Sequence, residues 1–401
     1  MLGMLILAIF LASLPWPWYG VFSLGSFTAR PSIIAAVPVI LFFLWKTRFN
    51  LKPVNVKLSL ILIFIYFVWI LPLIYNRYPH WPAAKLVSLL VYTIIAYFSA
   101  RLYLLLTLER EWPKYWPVIS VLFLVSCGLS YYFAFGTLIP NTNISTSSGF
   151  IHSTLYGSEF FSDPEAAKGI RHTMAIVPTL LLAMLVHNKR YTPKLGIVIF
   201  LGAVYLVLFS FSRSAWLVAF LIIILIMRSS FKNFSKNIGM IYVSIMLATV
   251  ALPVLAMLFP QQFSWVWGIL EDRLADDKSA EGRLWMMGQI ISGSSFSEYL
   301  FGYNRVTQGS PHNMIFDALL QSGLLGAVGA IVIAVYAIRV YFAGLIKGNH
   351  EAVLAAAFAA PALVRIFTAG SGMLHIADIM GLCIAANLGW YSVRKDKNVM
   401  A

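Results

Sequence analysis

The chain has 401 residues, 60% of them hydrophobic and only 11% charged, with a formal net charge of +14. At a mean hydropathy of +0.82 there is too little polar surface to coat a water-soluble globule of this length, so lipid must be the solvent. No basic face interleaved with aromatics accompanies the positive charge, which argues against nucleic acid as a partner.

Apolar runs suited to the roughly 20 helical residues that cross a bilayer recur along the whole chain. In lipid each backbone amide must be satisfied within its own segment, so these runs predict helices and not strands. The expected fold is an all-α integral membrane protein, residues 1–401 forming a single polytopic domain of about twelve transmembrane helices. Their cores are predicted at 2–22, 31–46, 57–75, 85–105, 116–136, 172–187, 195–211, 215–228, 237–259, 314–343, 352–369 and 373–392. The first lacks a basic leader and a small-residue cleavage site, so it reads as a retained span, although Pro15 and Pro17 interrupt it. Cys127 and Cys383 fall inside spans and offer neither metal-ligand spacing nor a disulfide framework. The tenth span is expected to bend at Gly323 after a short helix.

Lys and Arg collect on the cytoplasmic side of membrane proteins. Of the 29 here, eighteen fall in one set of connections, ten in the other and Arg365 inside a span, which predicts both termini in the cytoplasm. Two long polar connections then face the periplasm. One is 137–171, rich in Ser, Thr and Gly from Asn141 onward; the other is 260–313, between spans nine and ten, with ten charged residues. Loops of this length are commonly functional. Trp265, Trp267, Leu284 and Trp285 are apolar anchors that should hold the larger loop against the membrane surface.

That loop ends in His312 and Asn313. Ser310 is a suitable N-cap and Pro311 suits a first helical position, so the imidazole is expected in the first turn of a helix. Free amides and the positive helix end there disfavour imidazolium, as a general base requires. Taken as an isolated histidine, His312 would more simply cap or pack at the interface. Arg213 occupies the short turn between spans seven and eight, with Ser212 and Ser214 beside it. Its planar fork suits phosphate oxygens, while the plainer alternative is an interfacial anchor. Arg283 lies between Gly282 and Leu284, and pairing with Glu281 is its plain reading. Arg365 and Asp378 lie similar distances before and after a turn near Gly370 to Gly372, so they reach about the same depth at about 1.5 Å per residue. Intramembrane charges are normally paired or functional, which leaves a structural ion pair, slightly favoured, or an arginine that lends charge to a bound anion. Lys85, at the outer end of the fourth span, is a phosphate candidate whose alternative is interfacial snorkelling.

His312 and Asn313 are followed, nine residues on, by Gly323 and, after two more, by Gly326. This spacing resembles the His-Asn/Ser/Gln, nine residues, Gly-x-x-Gly signature of bacterial O-antigen ligases, in the O-antigen ligase and polymerase family. A Gly-Arg followed by Trp, as at Gly282, Arg283 and Trp285, also recurs there, so the likeness covers Phe209 to Gly326. It implies a GT-C-like enzyme that transfers O-antigen from undecaprenyl diphosphate to a sugar hydroxyl of lipid A-core, at the periplasmic face and with inversion. It further implies His312 as catalytic base, with Arg213 and Arg283 on the diphosphate. Asn313, Arg365, Asp378 and Lys85 are the further candidates. No cofactor is expected and no metal, since Asp276 and Asp277 are adjacent and not spaced around one residue. An O-antigen polymerase or a protein O-oligosaccharyltransferase would share this chemistry. A lipid-linked glycan transporter would explain the hydropathy, but the chain has no internal repeat of the kind that fold uses.

Overall fold

The computed structural model describes residues 1–24, 27–48, 83–107, 109, 111–136, 138, 164–188, 193–210, 212–230, 285, 287–288, 295–302, 313–368 and 376–399. Backbone alone is described for 22–24, 27–28, 83–89, 164–173, 187, 193, 229–230, 321–322 and 389–399. The apolar runs are helical: α1 (Leu2–Ser13), α2 (Pro31–Lys46), α3 (Ala83–Thr107), α4 (Trp112–Phe135), α5 (Pro164–Asn188), α6 (Pro193–Phe209) and α7 (Arg213–Ser230). After these come a short α8 (Phe296–Phe301), then α9 (Met314–Lys347), α10 (His350–Thr368) and α11 (Ile376–Val399). Among the described residues, four stretches are long and apolar enough to cross a membrane: Leu90–Thr107, Trp112–Phe135, Gly323–Lys347 and His350–Thr368. The expected spans at 57–75 and 237–259 lie outside the described residues.

One expected extent is corrected. The first span does not run to residue 22: α1 stops at Ser13, and Phe22–Leu24 instead pairs antiparallel with Phe27–Ala29 as strands β1 and β2. Helix continuation fails because Pro15 and Pro17 lack the amides that would bond back along the chain. The fold is α-helical, as expected, with one small hairpin in a connection. Helix α5 begins at Pro164, within the connection expected at 137–171. Proline has no amide to lose at a helix start, and Glu165, Ala166 and Ala167 after it favour helix.

The break at Pro15 exposes carbonyls that α4 satisfies. Ser126 and Ser130, one turn apart, donate to the carbonyls of Ala12 and Pro15. The same hydroxyls accept from the indoles of Trp16 at 2.8 Å and Trp18 at 2.9 Å. Two serines on one helical face therefore dock the end of α1 onto α4, where a bare proline break would leave polar groups in lipid.

Helix α10 is the central element, packed against α5, α7, α9 and α11. Its Ala356, Ala357, Ala359, Ala360 and Ala362 are all fully buried. Small residues matter because lipid is as apolar as a leucine side chain, so helices associate in membranes through close packing. A Cβ placed at Gly344 of α9 would strike Ala356, and one at Gly381 of α11 would strike the Phe358 carbonyl. The tight α9–α10 turn combines Gly348, at φ 61°, with Asn349, whose Oδ1 accepts from Ala352 N at 2.9 Å. Left-handed glycine closes one helix and an Asn cap opens the next.

Candidate active site

Hydrogen bonds fix how α7 stands beside this hairpin. Arg228 Nε donates to the Leu345 carbonyl at 2.9 Å and Tyr341 Oη to that of Leu221 at 3.2 Å, so α7 and α9 run parallel. The last turn of α7 therefore meets the start of α10. Counting back fifteen residues from Arg228 reaches Arg213, and counting forward fifteen from His350 reaches Arg365. At about 1.5 Å per residue both lie about 22 Å from that common level. Since α7 and α10 are in contact, the two arginines share one end of the bundle on neighbouring helices.

The turn before α7 is tied down by its own polar groups. The Ser212 carbonyl accepts from Trp216 N at 3.0 Å, while the Trp216 indole donates back to the Val207 carbonyl at 3.1 Å. Ser210 Oγ donates to the Val207 carbonyl at 2.6 Å, and Ser212 Oγ lies 3.1 Å from Ser214 Oγ. Phe209, buried just ahead of the turn, stacks on Tyr131 at 5.8 Å and on Tyr205 at 6.1 Å between ring centres. Ser210 and Ser212 are buried and Arg213 half-buried, so the guanidinium springs from a fixed base.

Arg365 and Asp378 do face each other between α10 and α11. Arg365 Nη1 is 3.3 Å from Asp378 Oδ2, with side chains only 8% and 0% exposed. Depth matching from residue counts alone anticipated this meeting. Lys85 lies in the first turn of α3. The opposite end of α3 meets the start of α1, where a Cβ on Gly3 would approach Leu106 Cδ2 to 3.2 Å. The backbone of Lys85 is therefore on the Arg213 side of the bundle.

Helix α9 starts later than its sequence suggests. Asn313 is the N-cap, its Oδ1 accepting from Ile315 N at 3.0 Å and Phe316 N at 3.4 Å. The expected cap at Ser310, with His312 inside the first turn, is corrected: His312 precedes the cap. An Asn carbonyl that reaches two free amides makes a strong start to a helix. His312 itself lies outside the described residues, as does Arg283, so their approach to Arg213 is not part of the described geometry.

The signature's first glycine has a clear structural task. Gly323 adopts φ 65° and ψ −159°, breaking α9 into an outer segment and a longer inner one, as the bend expected there requires. A Cβ at this position would collide with the Leu300 carbonyl and stand 2.6 Å from Phe301 N. The backbone of α8 therefore lies directly on Gly323. A capping box fastens α8, with Ser295 N donating to Glu298 Oε2 at 2.8 Å. Residues 296–301 of the long 260–313 connection are thus clamped onto the helix that follows His312.

Asp317 was missed by motif reading. It lies in the first turn of α9, is 2% exposed, and its N–H donates to the Asn313 carbonyl at 2.8 Å. The available signal was an acid inside an apolar run, five positions after His312. Among the described residues no group of three His, Cys, Asp or Glu side chains is placed to hold a metal ion.

No protein-family model matches the chain, and no curated protein is significantly similar to it.

Proposed function

We propose that this protein is a membrane glycosyltransferase of the O-antigen ligase type. It would move O-antigen polysaccharide from undecaprenyl diphosphate to a sugar hydroxyl of lipid A-core at the periplasmic face of the inner membrane, without metal. The observation that carries this reading is the signature from His312 to Gly326, whose Gly323 is where α8 rests on the kinked α9. Arg213 and Arg365 at one end of the bundle add cationic groups of the kind a diphosphate needs.

In this mechanism His312 accepts the proton of the acceptor hydroxyl as its oxygen attacks the anomeric carbon from the face opposite the diphosphate. The glycosidic C–O bond to phosphate breaks, and undecaprenyl diphosphate leaves with the electron pair. Arg213 and Arg283 stabilise the charge that grows on it, the usual use of preorganised cations. Attack from behind inverts the anomeric configuration.

The test is reconstitution of purified protein with lipid-linked O-antigen and, in separate vesicles, lipid A-core, a glycan acceptor or a protein acceptor. Product formed only with lipid A-core, and only when His312 is present, supports the ligase. Product with the glycan or protein acceptor would select the polymerase or the protein O-oligosaccharyltransferase, and glycan crossing the bilayer without bond formation would select a transporter.

A further inference from the structure

We infer that Arg365 is a further anion-binding residue of this site, taking a phosphate oxygen of the lipid-linked diphosphate while Asp378 holds it from behind. The inference rests on the proposed donor class and names a contact within it. Its physical basis is an ion pair that is left incomplete.

A guanidinium carries five N–H donors, and a carboxylate can fill two at once in a parallel fork. Arg365 lacks that arrangement. Its Nη1 stands 3.3 Å from Asp378 Oδ2, yet neither Nη1 nor Nε makes a hydrogen bond, although both atoms are buried. Buried donors left unfilled are costly, more so when charged, and a pair kept only for stability should be saturated. Here the carboxylate supplies charge balance and leaves donors open.

Position indicates what fills them. Both side chains are buried, and the little exposure the pair retains, 8% against 0%, belongs to Arg365, so an anion reaches its donors as the side chain turns outward. It lies at the level of Arg213 on the adjoining helix, fifteen residues from the shared reference turn. On the inferred arrangement an anion entering at this end meets both guanidinium groups. A dianionic diphosphate, with oxygens on two phosphorus atoms, can engage both, whereas a free monophosphate at the same place would engage fewer. The carboxylate of Asp378 holds Arg365 in place before the anion arrives.

The probe is undecaprenyl diphosphate carrying no glycan, with inorganic pyrophosphate in a parallel arm, titrated into protein in neutral-lipid nanodiscs and read by native mass spectrometry. Three proteins are compared: the native chain, Arg365→Met with Asp378→Asn, and Arg365→Lys. The double variant removes both charges together and so avoids an orphaned buried carboxylate; it should keep the native melting temperature within a few degrees. Its affinity for the lipid should fall at least about tenfold, and Arg365→Lys, which retains charge and loses the fork, should fall by several-fold. Native affinity in either folded variant overturns the inference and leaves the glycosyltransferase reading intact. If the double variant does not fold, Arg365→Lys decides alone. A native protein that binds no diphosphate lipid would overturn the donor assignment itself, and binding of pyrophosphate as tight as that of the lipid would make the site one for a soluble anion.

Discussion

Replacing Gly323 by alanine should separate the bundle from the clamp that α8 forms on α9. Two costs arise at once. The conformation at φ 65° and ψ −159° falls in a region essentially reserved for glycine, where a side chain costs about 1–3 kcal/mol. The added methyl also meets the Leu300 carbonyl and Phe301 N, and relieving such overpacking typically costs about 1–3 kcal/mol more. A total of roughly 2–6 kcal/mol is large for a six-residue helix fastened by a capping box, so α8 should detach from α9. The inner part of α9 should remain, because Gly344 and the Gly348–Asn349 turn still pack it on α10. Hydrogen exchange followed by mass spectrometry reads this directly. Peptides covering 295–302 and 314–322 should exchange much faster in Gly323→Ala, those covering 353–366 should not, and glycan transfer should fall with the outer pair. Gly128→Ala is the matched control, since a Cβ there meets nothing within 4 Å. Native exchange at 295–302 together with native activity in Gly323→Ala would refute the clamp.

Further expectations concern the chemistry and the packing. His312→Ala should lower transfer by about 10²–10⁴-fold, the usual contribution of a general base, with undecaprenyl diphosphate binding unchanged by native mass spectrometry; a loss of binding equal to the loss of turnover would assign His312 to the donor instead. Gly381→Ala drives a methyl against the Phe358 carbonyl, and thermal unfolding in detergent should show a loss of about 1–3 kcal/mol; no change would mean the α10–α11 contact is looser than described. Ser130→Ala removes the partner of both the Pro15 carbonyl and the Trp18 indole, and should destabilise the protein by about 1–3 kcal/mol with retained activity. Transfer should continue in excess chelator; recovery only on adding Mg²⁺ or Mn²⁺ would show that the arginines are not the sole source of positive charge.

Two features beside the candidate site were legible in residue spacing because the spacing acts through helix geometry. Gly323 was legible as a bend, and the common depth of Arg365 and Asp378 follows from counting residues on either side of a turn. The cap was not legible: Ser310, Pro311 and Asn313 are each plausible at a helix start, and only the reach of the Asn313 side chain to Ile315 N and Phe316 N separates them. Asp317 was passed over because sequence shows that an acid lies in an apolar run without showing that the fold buries it.

Sequence by itself determined the solvent of this protein and the helices that follow from it, since a backbone in lipid must bond within its own segment and apolar length is read directly from the chain. The boundaries of α2, Pro31–Lys46, are those of the expected core. Tertiary structure alone decided which helices are neighbours, that Ser126 and Ser130 receive the broken end of α1, that α8 rests on Gly323, and that Arg213 and Arg365 share a level. The reason is that lipid-facing and protein-facing sides of a membrane helix are almost equally apolar, so periodicity marks no inner face, and neighbours are selected by small residues and single hydrogen bonds whose partners lie far away in sequence.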